Sequence, residues 1–323
     1  MDRRRPNRSI LTIAAVVASL LAVGCGSDDA PSATAADTVT FTEADSVPPA
    51  DAPAVETLPT AVQTLTMTGT EYAFEIAEAD QELHAGWTKV TFENRGVEAH
   101  QVMFASVRDG VDLAELAKVA GDDSSGSKAI EYVDMLGGVS YIGPGQRIEA
   151  MVQLPEGVVL AMCYVPDPRG TAHALSGMQT TLSVGAAAEP DADTGPPEDV
   201  VGVITMGPGG YDMPMPLPAG WYRVDNDDAG DAPGEGLHEM SILGLDRPLG
   251  DDDLDRLLDD LATNATPDVE LDALGGLGAL SAGFEGYVHL DLEPGPYLAV
   301  DFMPDPGDPR PHLLDSYVTG FDV

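Results

Sequence analysis

The chain has 323 residues, with 15 Lys+Arg against 55 Asp+Glu and a formal charge of −40. That length suits two domains of ordinary size plus tails, and a hydrophobic content of 43% is enough to build cores. So negative a surface argues against nucleic acid or anionic lipid headgroups as partners, and it suits a soluble, self-repelling protein that would steer a basic partner.

In chain order, Arg3, Arg4, Arg5 and Arg8 form a positive segment ahead of an apolar run from Ile10 to Val23. The run is short for a bilayer span and ends in Leu21-Ala22-Val23-Gly24-Cys25, which reads as an export signal. The Cys directly after Ala-Val-Gly resembles a bacterial lipoprotein signal, with Ala22 where Leu is commoner. The resemblance implies removal of residues 1–24 and lipid attachment at Cys25; the plain reading is a signal peptide with an incidental Cys. Cleavage would leave 11 Lys+Arg against 54 Asp+Glu, a net charge of −43. Residues 25–61 are rich in Ala, Pro, Asp and Thr without an apolar period and read as a disordered, acidic, Pro-rich tether.

A first globular unit is expected over residues 62–185. "GWTKVTFEN" from Gly86 and "QRIEAMVQL" from Gln146 alternate with period two, as half-buried strands do. A strand-like segment carries His100, and a helical stretch follows from Val111 to Ala120. An apolar strand then runs through Cys163 into Pro-Asp-Pro, with His173 and Met178 just beyond. There are two Cys in the chain, so if Cys25 is acylated Cys163 has no intrachain partner. Such a thiol in an exported protein is a buried hydrophobe, an intermolecular disulfide or a metal ligand.

After a Pro/Asp/Gly-rich linker at 186–198, residues 199–323 repeat the pattern. Gly220-Trp221 matches Gly86-Trp87, His238 matches His100, and a helix over Asp251–Ala262 opens on three Asp, which suit a helix N-terminus. "PYLAVDFMPDP" matches "VVLAMCYVPDP", and 63 residues separate His100 from Cys163 and likewise His238 from Asp301. The chain is a tandem duplication. Short strands with Gly/Pro turns and one inserted helix per repeat predict an all-β protein of β-sandwiches. Trp87 and Trp221 are expected as core or sheet-end residues, and His84 and His289 as surface or packing residues.

The order His100, Cys163, His173, Met178 resembles the cupredoxin family, whose blue-copper centre needs two imidazoles, a thiolate and a weak axial thioether. Nine residues lie between Cys163 and His173, and this loop with its "HALSGM" tail is similar to the type-1 site of copper nitrite reductases. The resemblance implies two tandem cupredoxin-like Greek-key β-sandwiches over about 62–323, each with a short inserted helix. It implies one type-1 copper, held in the first repeat by His100, Cys163, His173 and Met178. In the second repeat Asp301 stands in the place of Cys163, His312 corresponds to His173 with one extra loop residue, and Tyr317 falls where Met178 is. Without sulfur, His238, Asp301 and His312 form a degenerate site: either a hard N/O set for Zn²⁺ or Cu²⁺, or a vestige in which Asp301 hydrogen-bonds within its loop.

No His-X-His pair for a trinuclear copper cluster is present, nor a nucleophile elbow, P-loop, dinucleotide turn or zinc-protease motif. The expected function is therefore non-catalytic: a lipid-anchored, extracytoplasmic electron carrier with a redox or copper-exchange partner. Copper capture and delivery, or a metal-free binding or structural module, are the alternatives.

Overall fold

A computed structural model of the chain describes residues 56–77, 82–122, 127–189, 198–232 and 234–323. The expected signal, Cys25, the tether up to residue 55 and linker residues 190–197 lie outside the described residues.

The first half contains β1 (Gln63–Thr70), β2 (Ala73–Ile76), β3 (Leu83–His84), β4 (Gly86–Asn94), β5 (His100–Val107), β6 (Val133–Ile142), β7 (Arg147–Leu154), β8 (Gly157–Met162) and β9 (Gln179–Gly185), with a helix at Leu113–Asp122. The second contains β10 (Val200–Gly207), β11 (Gly210–Asp212), β12 (Gly220–Asn226), β13 (His238–Leu245), β14 (Leu271–Leu280), β15 (Glu285–Leu290), β16 (Pro296–Val300) and β17 (Val318–Asp322), with a helix at Asp251–Ala262. Period two governs the strands: along β4, Thr88, Val90, Phe92 and Asn94 are buried and the residues between them are partly exposed. The second helix buries Leu254, Leu257 and Leu258 at i, i+3, i+4 spacing and carries Asp251, Asp252 and Asp253 in its first turn. In the first helix, Leu116 is buried against Met103, Ala105 and Leu160 on one face of the sheet.

Each half is a two-layer Greek-key sandwich, β2-β1-β4-β7 over β6-β5-β8-β9-β3 and β11-β10-β12-β15 over β14-β13-β16-β17. The tandem β-sandwiches with one inserted helix each are those expected from the sequence. The sequence reading did not anticipate that the layers run on from one half to the other. Among the described residues they form one eight-stranded and one nine-stranded sheet, joined by the antiparallel pairs β15·β7 and β14·β6.

The joints are symmetric. Equivalent residues of the two halves lie 138 positions apart from His100/His238 to Cys163/Asp301. At the joints Val139 faces its own counterpart Leu277, and Ala150 faces Val288. Leu136 faces Leu280 while Ile142 faces Leu274, which are each other's counterparts. A local twofold therefore relates the halves, an isologous interface built within one chain. Gly138 and Gly276, also equivalent, have φ of 137° and 129°, and a Cβ on either would collide with the carbonyl oxygen of Val102 or Met240 on the next strand. These glycines permit the bulges that start just after His100 and His238.

One expectation needs correction. Residues 56–61, assigned to the tether, are built into the fold. Thr57 bridges Asp199, the Glu56 carboxylate takes two hydrogen bonds from the Arg223 guanidinium at 2.7 and 2.8 Å, and Leu58 and Ala61 are buried. The two apolar side chains cover a cluster with Met151, Trp221 and Tyr287, which is reason enough for the segment to leave solvent. The two Trp residues are core and strand-start residues as expected, and both belong to the cluster at the joint between halves. Trp87 packs edge-on against Tyr287 at 5.4 Å, and Lys89 of the first half lies 5.2 Å over Trp221 of the second. His289 packs against Trp221, and His84 Nδ1 lies 3.2 Å from the Ala186 carbonyl oxygen.

Candidate metal centre

His100 opens β5 and Cys163 follows β8, its neighbour in the sheet, so strand pairing sets both side chains at one end of the sandwich. The loop after Cys163 is closed on itself. Met178 carbonyl oxygen accepts from Cys163 N–H at 3.1 Å, Cys163 carbonyl oxygen from Ala174 N–H at 2.8 Å, and His173 carbonyl oxygen from Met178 N–H at 2.9 Å. Asp167 in the Pro-Asp-Pro turn accepts from Arg169 N–H at 2.8 Å and Thr171 N–H at 2.9 Å. These backbone donors, Thr171 first and helped by the Arg169 guanidinium, hold its carboxyl below the usual range although burial opposes them. The nine-residue gap between Cys163 and His173 is thereby folded into a compact hairpin that turns the imidazole inward.

The side chains converge. His100 Nδ1 lies 3.1 Å from His173 Nδ1, and Cys163 Sγ lies 3.5 Å from the same nitrogen. All three residues are 0% exposed. Met178 is fully buried and tied to both Cys163 and His173 through its backbone. Ligand atoms at about 2.0 Å (N) and about 2.3 Å (S) from one ion lie roughly 3.1–3.6 Å apart when bond angles are near 100–110°. The observed separations are those of such a set.

The outer ring nitrogens face carboxylates. His173 Nε2 lies 2.9 Å from Glu98 Oε2, and His100 Nε2 lies 3.7 Å from Glu71 Oε1. Asn94 places Glu98 by donating from Nδ2 to its carbonyl oxygen at 2.8 Å, and Tyr72 packs its ring 4.9 Å from that of His173. A Cβ at Gly96 would stand 2.5 Å from His100 Nε2, so only glycine lets the loop pass this close to the ring. For His173, an inner nitrogen facing the cluster and an outer one held by a carboxylate is the usual division of roles in a metal-binding imidazole, whereas His100 Nε2 has no hydrogen-bond partner. Burial, reinforced by the charge of His173, depresses the pKa of His100 to about 4, and burial also lowers that of His173 against the pull of Glu98. Burial pushes the Cys163 thiol up to about 12. At neutral pH the rings therefore keep their lone pairs and the thiol its proton, which a bound cation would displace.

The second half repeats the backbone and changes the chemistry. Leu313 N–H donates to Asp301 carbonyl oxygen at 2.8 Å and His312 N–H to Met303 carbonyl oxygen at 2.9 Å, as in the first loop. Asp301 Oδ2 lies 2.8 Å from His238 Nδ1 and 3.0 Å from His312 Nδ1, while its Oδ1 accepts Met303 N–H at 2.7 Å. His238 Nε2 meets Tyr317 Oη at 2.6 Å and Asp228 Oδ2 at 3.2 Å, and the Tyr317 ring stacks on it at 3.8 Å. Burial acts to lower the pKa of His312, but the Asp301 and Asp305 carboxylates outweigh it and raise the value. Beside this cluster the Glu239 carboxyl is pushed well above the carboxylate range by burial and by the Asp301 charge.

The structure thus brings together His100, Cys163 and His173, and separately His238, Asp301 and His312; each triplet has its ligand atoms within 4.8 Å of one another. Sequence reading did not find Glu98, Glu71, Tyr72 or Asp228. Nothing in the spacing marks them, whereas Asp167 was visible inside the repeated Pro-Asp-Pro.

No family model matches the chain, and no curated protein does. Solved structures resemble it. A reduced auracyanin from the photosynthetic bacterium Roseiflexus castenholzii is 19% identical, aligned over 40% of this chain and 100% of its own, with a TM-score of 0.26. Auracyanin A, a "blue" copper protein of Chloroflexus aurantiacus, is 22% identical over 38% of this chain and 98% of its own, with a TM-score of 0.26. A copper-containing nitrite reductase from Thermus scotoductus is 11% identical over 80% of this chain and 60% of its own, with a TM-score of 0.22. At such scores none of these likenesses bears on chemistry, and the reading below rests on this chain's own side chains. No helix among the described residues is long and apolar enough to cross a membrane.

Proposed function

We propose that the first half holds one type-1 copper and that the protein is a non-catalytic electron carrier, tethered outside the cytoplasmic membrane by a lipid on Cys25. The observation that carries this reading is the buried convergence of two imidazole nitrogens and one thiol on the same point. Two nitrogens with one soft sulfur favour copper over harder cations. His100 Nδ1, His173 Nδ1 and Cys163 Sγ would hold the ion, and the buried Met178 beside them would supply a thioether. Copper in that setting supplies a one-electron couple.

The chain's own part is rigidity. Glu98 and Tyr72 fix the His173 ring, Asp167 fixes the loop, and strand pairing fixes the backbone around His100 and Cys163. A donor set that cannot rearrange serves both oxidation states with little reorganisation. Two of the exposed large hydrophobics, Val97 and Leu175, lie next to Glu98 and in the turn begun by His173. They give a redox partner an apolar footing beside the site, and the surrounding negative charge would steer a basic one.

Titration of the metal-free protein with Cu(II), followed by visible absorption and electron paramagnetic resonance, tests the proposal. An intense thiolate-to-copper band saturating at one equivalent is expected, and its absence would sink the assignment. A reversible potential with fast self-exchange distinguishes a carrier from a copper-delivery protein using the same ligands.

A further inference from the structure

The helix-covered face of the nine-stranded sheet holds a cavity of about 290 Å³ where the two halves meet. Because side chains alternate along a strand, the residue after each first histidine points away from the ligand cluster and onto this face. Gln101 and Glu239, the equivalent residues after His100 and His238, both line the cavity and are both 0% exposed. Neither side chain is satisfied. Gln101 Nε2 and Oε1 and Glu239 Oε2 have no hydrogen-bond partner, while Glu239 Oε1 accepts Phe302 N–H at 3.2 Å and the Ser140 hydroxyl lies beside the carboxyl. The walls are otherwise mostly apolar, with Met103, Tyr141, Leu243, Leu261, Phe302 and Pro311 among them.

Buried polar atoms without partners are rare and costly, so three of them on residues lining one cavity call for a ligand that would satisfy them. The volume stands at the lower end of ligand pockets, roughly 300 Å³ and upward, which suits a molecule about the size of one substituted ring. An amide with both its donor and its acceptor open is complemented by a group that donates and accepts at once. A chain of net charge −40 repels anions, and the apolar walls penalise any charge left without a partner. We propose that this cavity binds a small uncharged ring compound whose polar end both donates and accepts hydrogen bonds, a phenol or an aromatic amide, recognised by Gln101 and Glu239. The cavity uses none of the candidate metal donors, although Tyr164, Val165 and Ala172 of the first ligand loop form part of its wall.

Calorimetric titration of the full protein with benzamide and phenol tests this, with toluene, benzoate and benzamidine as contrasts. Benzamide or phenol is expected to bind at least tenfold more tightly than all three contrasts. Ala273→Phe, which fills the cavity, should abolish binding; Ala262→Phe closes the same space from the helix end if the first variant does not fold, as read by near-ultraviolet circular dichroism. Gln101→Leu and Glu239→Leu should each bring benzamide down to the affinity of toluene. The proposal is overturned if neither benzamide nor phenol binds, which leaves water as the occupant. It is also overturned if toluene or a charged probe binds as well as they do, or if binding survives in folded cavity-filled variants.

Discussion

The two ligand loops of this chain share their closing backbone hydrogen bonds and have opposite electrostatics. In the first, three buried donors converge with no cation of their own, and the two imidazoles are held below their ordinary pKa. In the second, one buried carboxylate takes both imidazoles as partners and holds His312 above its ordinary value. The first cluster brings together neutral donors that could hold an ion; the second supplies its own counter-charges. What the duplicated fold preserves is the hydrogen-bonded loop, while Cys163 against Asp301 and Met178 against Tyr317 change the chemistry it frames.

The largest expected effect is at the first of these positions. Cys163→Ser should abolish the copper band outright while leaving the circular dichroism of the fold unchanged. Conversely, Asp301→Cys combined with Tyr317→Met should raise the thiolate-bound copper from one equivalent to two; if it does not, the halves differ by more than their donor sets. Next, Asp301→Ala removes the carboxylate between His238 and His312 and should destabilise the protein by about 3–5 kcal/mol in urea unfolding, since partners of a buried charge are left uncompensated. Cys163→Ala in the metal-free protein should cost far less, about 1 kcal/mol, because only a small buried apolar group is lost.

A smaller effect is expected beyond the donors. Glu98→Gln keeps the shape next to His173 Nε2 but removes the charge, and should weaken copper binding about tenfold to a hundredfold in a competition titration. The pH dependence of the metal-free protein separates the halves most finely. With its folded pKa near 4, His100 withholds a proton that the unfolded chain accepts, so stability falls as pH drops from about 6.5 toward 4. His312 holds its proton more tightly when folded, so its contribution is complete below about 6.5 and is lost as pH rises through the raised value. Unfolding curves of His100→Gln and His312→Gln should lose these opposite slopes one at a time; slopes of the same sign would contradict the comparison.

Much of the site was legible because its signal is local. The order His100, Cys163, His173, Met178 and the repeated Pro-Asp-Pro lie close along the chain, or on strands whose place in the fold the duplication shows twice. Other features had no such signal. Glu98 is one more carboxylate among 55 Asp+Glu, and only the turn held by Asn94 makes it a partner of His173. Gln101 and Glu239 read as ordinary polar residues in apolar strands; only the tertiary structure shows that both are fully buried with polar atoms left unpartnered. One overlooked sequence signal bore on the joint: Leu136-Gly137-Gly138 recurs at Leu274-Gly275-Gly276, on the two strands that pair across the twofold.

The sequence by itself determined the strands, the tandem duplication and the two donor sets, because alternation, turn residues and donor chemistry are properties of short stretches of chain. Only the tertiary structure decided that the halves share their sheets about a local twofold, that residues 56–61 seal the joint, and that a polar-floored cavity lies between them. Those outcomes depend on which apolar faces find each other across more than a hundred residues, and the register of that encounter is set by packing rather than by any local pattern.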